Sequence, residues 1–273
     1  MSYFKFKGRD VFYTIEGKGK PFLLLNGIMM STKSWEPFVN SFIENNMLIR
    51  VDFFDQGKTD KLVGELYNHD IQVDLVKALL DHIEHKKVSI VGISYGGEIA
   101  LQFAIKYADL VDRLVLFNTA AYTKTWLRDI GRGWISSGRS RDGQSYYYTT
   151  IPIIYSPDFY QRNIDWMKNR EQKLIPIFSD PNFLDAMERL TLSSESFDCR
   201  EKLFEIKAKT LIISAEEDYL TPLDNQEYLY KNIKNSEWIK IPNSGHGSMY
   251  EKPLIFVSLI LGFLNTKDIE FHI

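Results

Sequence analysis

The 273-residue sequence has one cysteine, Cys199, and lacks an apolar stretch long enough to cross a lipid bilayer. A single cysteine excludes an intramolecular disulfide, so the core must stabilise the fold, as suits a reducing compartment. The longest apolar stretch, Leu254 to Leu264, is too short for a membrane span and is interrupted by Ser258 and Gly262. The first residues also lack the apolar segment of a secretory signal peptide. We therefore expect a cytoplasmic protein without a membrane span.

The sequence also has little net charge, because 33 Lys and Arg residues nearly balance 36 Asp and Glu residues, to give −3. A chain so close to neutral gives no argument for nucleic-acid binding or for a polybasic membrane anchor. His82 and His85 have the i,i+3 spacing of a helical metal site. A solvated helix face is the favoured interpretation, because no cysteine or carboxylate cluster supports a metal. We expect a small-molecule substrate, no metal, no cofactor and no nucleic-acid partner, and we make no prediction of the oligomeric state.

Short apolar runs alternate with amphipathic, helix-like segments over most of the chain. The run Phe22 to Leu25 is continuous, which is typical of a strand buried on both faces of a parallel sheet. The predicted elements are strands at 3–7, 10–16 and 22–25, a helix over 35–45 capped by Ser34 with Pro37 in its first turn, a strand at 47–53, a helix over 71–83, a strand from 88, a helix up to 107, a strand at 111–117, and later a strand at 210–214, a helix over 224–233, a strand at 238–241 and a helix from Pro253. This alternation predicts an α/β fold with a mostly parallel central sheet and helices on both faces.

The alternation is interrupted between residues 121 and 205, where the chain is rich in aromatic residues and contains prolines. We interpret this segment as an inserted, mainly helical cap. Residues 1–120 and 206–273 then form the core, and residues 121–205 form the cap. Lys124, Arg128 and Arg132 lie at helical spacing at its start. They form either a solvated helix face or a basic stripe for a phosphorylated or carrier-bound thioester substrate.

The sequence Gly92-x-Ser94-x-Gly96 lies between the strand that begins at Val88 and the following helix. This spacing is the nucleophile-elbow pattern, in which a serine occupies a sharp strand-to-helix turn. Glycines are needed because a Cβ at either position would clash, and the turn holds the serine backbone under strain. The Ser94 hydroxyl then projects above the sheet, and the N–H of Tyr95 lies at the first turn of a helix. The alternative is a structural serine in a tight turn.

One histidine lies where a catalytic base is expected. Functional groups gather at the carboxyl ends of the strands in a parallel sheet. His246 follows a late strand, in the glycine-flanked loop Asn243 to Gly247. The other histidines precede or belong to the helix before the elbow strand, or lie in the C-terminal tail: His69, His82, His85 and His272. His246 is therefore the candidate base, and the alternative is a turn histidine bonded to the backbone.

The acid that orients this imidazole should also follow a strand. Asp218 does so, although acidic neighbours are close enough to be confused with it: Glu216, Glu217 and Asp224. Asn118 occupies a competing position, just past the strand after the elbow, but an amide cannot serve as a carboxylate. The candidate catalytic set is therefore Ser94, Asp218 and His246, in that order along the chain.

This order and the surrounding motifs resemble the α/β-hydrolase superfamily over essentially the whole chain apart from the cap. Asp218-Tyr219-Leu220-Thr221-Pro222 is similar to the acid loop of that family, and Gly245-His246 is similar to its histidine loop. The resemblance implies that Ser94 is the nucleophile, that His246 is general base and then acid, and that Asp218 fixes the tautomer. It also implies an oxyanion hole made by the backbone N–H groups of Ile28 and Tyr95.

Two positions depart from the pattern of this family. Asn26-Gly27 stands where many members have His-Gly. The turn from Asp52 to Asp60 is similar to an Asp-x-x-Gly-x-Gly-x-Ser motif, but Asp55 replaces its first glycine. Both departures lie near the loop that would form the oxyanion hole.

These features predict a serine hydrolase that cleaves a small-to-medium, largely apolar ester, thioester or lactone through an acyl-enzyme. Acyl transfer is an alternative, because an alcohol or second acyl chain can replace water and the cap loosely resembles that of hydroxyacyl-transferring members. Carbon–carbon bond hydrolysis or lyase chemistry is another, since fold and triad do not determine the reaction. The alternative from a different functional class is a ligand sensor with this fold. It is disfavoured, because a sensor would have no physical need for Asp218 and His246.

Overall fold

In a computed structural model, which describes residues 2–267, eight strands form a single sheet. They are β1 (Ser2–Phe6), β2 (Arg9–Gly17), β3 (Lys20–Leu25), β4 (Asn46–Val51), β5 (Val88–Ile93), β6 (Val111–Phe117), β7 (Lys209–Ala215) and β8 (Ser236–Ile241). Their order in the sheet is β1-β2-β4-β3-β5-β6-β7-β8. The pairs β1–β2 and β2–β4 are antiparallel, and every later pair is parallel. The predicted α/β fold with a mostly parallel sheet is confirmed.

Helices cover both faces of this sheet. The α-helices are α1 (Val39–Phe42), α2 (Asp70–His82), α3 (Tyr95–Lys106), α4 (Thr125–Arg139), α5 (Gly143–Thr150), α6 (Pro157–Arg162), α7 (Ile164–Phe178), α8 (Pro181–Ser194), α9 (Leu223–Asn232), α10 (Ser248–Glu251) and α11 (Pro253–Asn265). In β3, Leu23 and Leu25 pack with α2 and α3, whereas Phe22 and Leu24 pack with α1 and α11. Successive side chains of a strand point to opposite faces, so the continuous apolar run is buried on both faces of the sheet.

The predicted helix over residues 35–45 is wrong in start, end and type. The chain instead forms a 3₁₀ helix at Thr32–Phe38, followed by the single turn α1. Ser34 lies inside this helix, where its hydroxyl accepts a 3.2 Å hydrogen bond from the N–H of Ser31. The earlier start places Pro37 in the helix interior, where its missing N–H and its ring oppose the α-helical register. The side chain of Asn46 then donates to the carbonyl of Phe42, where α1 ends.

Five helices, α4 to α8, lie between β6 and β7 in the chain. At their base, residues 121–123 run beside residues 197–199. The N–H of Thr123 bonds to the carbonyl of Phe197, and the N–H of Cys199 bonds to that of Ala121. These helices occupy the segment that the sequence assigns to the cap, and the division of the chain at residues 121 and 205 stays a prediction. His272 lies outside the described residues.

Among residues 2–267, no helix combines the length and the apolar character that a membrane crossing requires.

Candidate active site

Ser94 lies between β5 and α3 with a backbone conformation of φ 53° and ψ −119°. Positive φ is costly for a residue with a side chain, and such strain persists only where the surrounding packing enforces it. A Cβ at Gly92 would lie 2.5 Å from the carbonyl oxygen of Gly96, and one at Gly96 would lie 2.5 Å from that of Leu25. The sharp turn therefore depends on both glycines of the motif.

Asp218 and His246 meet at the carboxyl ends of β7 and β8. His246 Nδ1 lies 2.7 Å from Asp218 Oδ2, and both side chains are buried. The same carboxylate accepts hydrogen bonds from the N–H groups of Leu220 and Thr221 and from the Thr221 hydroxyl, at 2.8, 2.9 and 2.8 Å. These donors hold the carboxylate in place, so that it orients the imidazole with Nδ1 as the protonated nitrogen.

Ser94 and His246 line the same cavity. Within residues 2–267 no direct hydrogen bond joins the Ser94 hydroxyl to the imidazole. Catalytic hydrogen bonds are often long in a ligand-free enzyme and shorten when substrate binds. The structure thus brings together the three residues that the sequence singles out, with the Asp218–His246 pair already formed.

The two backbone groups expected to form an oxyanion hole also lie at this cavity. Ile28 follows β3, and Tyr95 is the first residue of α3; both line the cavity. Within the described residues, neither N–H donates to a backbone acceptor. The first turn of a helix attracts negative charge, so the Tyr95 amide is suited to an oxyanion.

Asn26, which replaces a more usual histidine, anchors the loop that contains Ile28. Its amide donates to the carbonyl of Val51 and to Gln56 Oε1, at 2.8 and 3.0 Å, and its oxygen accepts from the Trp35 indole at 2.7 Å. Gln56 in turn donates to the carbonyl of Gly27 at 2.9 Å. This buried network fixes the backbone next to Ile28, so the departure at residue 26 still supports an ordered loop.

Asp55, the second departure, connects the core to the cap. Its backbone has φ 68°, and its carboxylate forms an ion pair with Arg189 in α8, with an Nε–Oδ2 distance of 3.0 Å. The Tyr67 hydroxyl donates to the same carboxylate at 2.8 Å. The Asp55 side chain is 0% exposed and that of Arg189 is 11% exposed. A carboxylate buried to this degree needs such a partner.

Two residues that sequence reasoning left without a role hold the histidine loop. Asn118 donates from Nδ2 to the carbonyl of His246 at 2.8 Å, and its oxygen accepts from the N–H of Ala215 at 2.9 Å. Glu251 accepts from the N–H of Gly245 at 3.0 Å and from the N–H of Ser156 at 2.9 Å, which joins this loop to the cap. The only sequence signal for Asn118 was its position at a strand end.

The cavity above Ser94 has a volume of about 640 Å³, within the range of small-molecule sites. Core and cap both contribute to its wall. Its apolar and aromatic lining includes Met29, Met30, Ile93, Leu127, Trp134, Ile151, Ile154, Tyr155, Leu174, Ile177, Phe178, Phe183, Met187, Leu220, Met249 and Tyr250. Such a site can hold an apolar acyl chain beside the Ser94 hydroxyl.

The basic residues at the start of the cap do not form a free stripe. Lys124 pairs with Asp224, and Arg132 pairs with Asp129 at 3.2 Å. Arg128 lines the cavity and donates to the carbonyl of Glu195 at 3.1 Å. These ion pairs favour the solvated helix face for Lys124 and Arg132, whereas Arg128 belongs to the cavity wall.

The metal interpretation of the helix histidines also finds no support. His82 stacks on Phe4 with ring centroids 5.2 Å apart, and its Nε2 lies 3.2 Å from the Tyr13 hydroxyl. No cluster of three or more His, Cys, Asp or Glu residues suited to a metal ion occurs in residues 2–267.

Comparison with known proteins agrees with this architecture. Residues 20–253 match the family model of the alpha/beta hydrolase fold. The crystal structure of MGS-M2, an alpha/beta hydrolase enzyme from a Medee basin deep-sea metagenome library, is 48% identical, covers 100% of both chains and has a TM-score of 0.97.

Two curated relatives match over nearly the whole chain. The AB hydrolase superfamily protein YisY of Bacillus subtilis (strain 168) is 28% identical over 92% of this chain and 93% of its own length. The 2-hydroxy-6-oxo-6-phenylhexa-2,4-dienoate hydrolase of Comamonas testosteroni is 26% identical over 94% of this chain and 92% of its own length. The resemblance inferred from the motifs is confirmed: the chain belongs to the alpha/beta hydrolase fold family and is an enzyme, a hydrolase.

Proposed function

We propose that this hydrolase cleaves a small-to-medium, largely apolar carboxylic ester, thioester or lactone through an acyl-enzyme on Ser94. The observation that carries the proposal is the 2.7 Å contact between His246 and Asp218 at the wall of a cavity that Ser94 also lines. An oriented imidazole beside a serine on a strained turn is the arrangement that serine acyl transfer requires. The predicted cytoplasmic location remains a prediction.

In the first half of the reaction, the Ser94 oxygen attacks the substrate carbonyl carbon while His246 Nε2 accepts the hydroxyl proton. The carbonyl oxygen becomes an oxyanion, which the N–H groups of Ile28 and Tyr95 stabilise. The imidazolium, held by Asp218, then protonates the leaving group as the acyl bond breaks. Ser94 is left as an ester of the acyl group.

In the second half, a water molecule replaces the leaving group. His246 accepts one proton from water as its oxygen attacks the acyl-enzyme, and a second oxyanion forms at the same two N–H groups. Collapse of this intermediate returns the proton to Ser94 and releases the carboxylic acid. Acyl transfer is the alternative in which an alcohol or a second acyl chain takes the place of water.

A fluorophosphonate probe and p-nitrophenyl esters from acetate to decanoate test the proposal. We expect labelling of the wild type and none of Ser94→Ala, with turnover lower by about 10⁶-fold in the variant. Ser136→Ala, at an exposed serine of α4, is the matched control and should behave as the wild type. An unlabelled wild-type protein, or a Ser94→Ala variant as active as the control, would refute the assignment of the nucleophile.

A second candidate function is hydrolysis of a carbon–carbon bond in a substrate with a carboxylate. Arg170 favours it, since this guanidinium lines the cavity and forms no ion pair among the described residues. It lies over the rings of Tyr250, Trp166 and Tyr155, at 4.7, 5.3 and 5.9 Å from their centroids. A cation without a counter-ion suits an anionic ligand. The Comamonas relative is named for hydrolysis of a dienoate, which bears a carboxylate.

This candidate is tested with 2-hydroxy-6-oxo-6-phenylhexa-2,4-dienoate, followed by loss of its conjugated absorbance. Two results together would support this candidate. Ser94→Ala should abolish turnover of the dienoate, and Arg170→Gln should raise the KM for the dienoate more than the KM for p-nitrophenyl esters. Absence of turnover in a wild type that hydrolyses esters would exclude it.

A further inference from the structure

A buried carboxyl group lies in the cavity wall one helical turn beyond Ser94. Glu98 belongs to α3, and its N–H donates to the carbonyl of Ser94 at 3.1 Å. Its side chain lines the cavity, although the residue is only 4% exposed. The triad chemistry described above makes no use of this carboxyl group. Burial of such a group is costly unless it stays neutral or finds a partner.

A short chain of hydrogen bonds occupies one oxygen of this carboxyl group. His69 Nε2 lies 2.9 Å from the Ser194 hydroxyl, which donates to Glu98 Oε2 at 3.3 Å. His69 precedes α2 and Ser194 ends α8, so the chain joins core and cap beside the cavity. Within residues 2–267, Glu98 Oε1 has no hydrogen-bond partner. Oε1 is therefore the oxygen left for a ligand in the cavity.

The basic group in contact with Glu98 is the imidazole of His69, whose Nε2 lies 3.4 Å from Glu98 Oε2. Burial raises the pKa of Glu98 to about 8 and lowers the pKa of His69 to about 3, so the nearby imidazole is neutral at pH 7. Tyr95 on the same helix is also buried, as is Cys199, which follows α8, and burial raises the pKa of the Cys199 thiol to about 12. From the cap, Arg128 and Glu195 line the same cavity, and Arg128 donates to the carbonyl of Glu195.

A neutral carboxylic acid in this position is a hydrogen-bond donor as well as an acceptor. We propose that Glu98 is a specificity-determining residue, whose carboxylic acid donates from Oε1 to an oxygen acceptor in the acyl chain of the substrate. The acyl chain is the part concerned because the leaving group must lie toward His246, which follows β8, whereas Glu98 lies on α3 and bonds to Ser194 of α8. The proposal rests on the proposed function and narrows its substrates to oxygen-containing acyl groups such as ethers, ketones or alcohols.

The test compares p-nitrophenyl octanoate with isosteric esters in which oxygen replaces one methylene, at C4, C5 or C6 of the chain. The quantity measured is the ratio of kcat/KM for each oxa ester to that for the octanoate, between pH 6 and pH 9. The ratio cancels any pH dependence of the triad itself, because both esters react through the same residues. Glu98→Gln keeps a donor at every pH, whereas Glu98→Leu has none.

At pH 6.5 we expect the kcat/KM ratio for one oxa ester to be about fivefold higher in the wild type than in Glu98→Leu. An effect of this size corresponds to one neutral hydrogen bond. In the wild type this preference should disappear as pH rises through 8, and in Glu98→Gln it should persist. If Glu98→Leu does not fold, the contrast between the pH profiles of the wild type and Glu98→Gln decides alone.

Ratios that are the same in all folded variants at every pH would overturn the proposal for Glu98. That result leaves the proposed function intact if the wild type still hydrolyses octanoate. A wild type that reacts with neither fluorophosphonate nor esters would instead overturn the proposed function.

Discussion

The side-chain amide of Asn118 donates a 2.8 Å hydrogen bond to the backbone carbonyl of His246, 128 residues later in the chain. Asn118 follows β6, next to the elbow strand β5 in the sheet, and also accepts a hydrogen bond from β7. One amide thus sets the position of the histidine loop relative to two strand ends. Asn118 is a positioning residue, since its contacts are to the backbone of His246 and not to the imidazole.

Replacing Asn118 should therefore misplace the base. We expect Asn118→Ala to lower kcat by about 10²-fold, because a displacement of about 1 Å in a catalytic group has effects of that size. Asn243→Ala is the control, since Asn243 also has positive φ, 50° against 46° for Asn118, but is exposed. Ester kinetics on both variants check this. Equal effects of the two substitutions would show that backbone strain, and not the hydrogen bond, is responsible.

The ion pair between Asp55 and Arg189 should stabilise the docking of α8 on the core. We expect Arg189→Met to lower the free energy of unfolding by about 3–5 kcal/mol, because it leaves Asp55 buried without its cation. Adding Asp55→Asn should restore part of that loss, with a coupling energy of about 0.5–3 kcal/mol in a double-mutant cycle.

Urea denaturation measures these stabilities. The control is Arg139→Met, which removes an exposed ion pair with Glu188 and should cost less than about 1 kcal/mol. Additive effects of the Asp55 and Arg189 substitutions would contradict a direct interaction between them.

Gly96 should tolerate no side chain, whereas Gly133 should. A Cβ at Gly96 would lie 2.5 Å from the carbonyl oxygen of Leu25, but a Cβ at Gly133 on α4 would meet nothing within 4 Å. We expect Gly96→Ala to destabilise the protein by about 1–3 kcal/mol and to lower kcat, because the adjacent Tyr95 amide moves. Gly133→Ala should stabilise it by about 0.5–1 kcal/mol. Thermal denaturation of the two variants checks both signs.

Protonation of Glu98 should make stability fall with pH near neutrality. Its pKa is raised from 4.5 to about 8, so between these values the folded protein holds a proton that the unfolded chain releases, and stability decreases as pH rises. His69 has the opposite effect on stability, because its pKa is lowered from 6.5 to about 3. Between these values the unfolded chain holds a proton that the folded protein lacks, so stability increases as pH rises. The two effects offset each other from pH 4.5 to 6.5. A decrease of about 1.4 kcal/mol per pH unit then remains between 6.5 and 8.

Glu98→Gln should remove this decrease, since the amide does not titrate. The measurement is the free energy of unfolding at pH 6.5, 7.25 and 8, with Glu237→Gln at an exposed position as the control. The prediction fails if Glu98→Gln retains the slope of the wild type.

Much of the core could be predicted because its signals are local. The predicted strand at 111–117 matches its observed bounds, and the apolar stripe of α2 predicts that helix. The prediction of a helix over 35–45 is wrong, since the start of the observed helix depends on a capping interaction and its 3₁₀ form on Pro37. Within the cap, aromatic composition indicated helices but not their number or bounds. Composition reports burial and not the path of the chain.

The sequence by itself determined which residues are available for chemistry. Ser94, Asp218 and His246 each follow a recognisable strand, and parallel strands bring such positions to one edge of the sheet. Tertiary structure alone decided the partners of Asp55, Asn118 and Glu98. The contacts of Asp55 with Arg189, of Asn118 with His246 and of Glu98 with Ser194 join residues 96 to 134 positions apart, so their geometry depends on how distant parts of the chain pack together and not on any local periodicity.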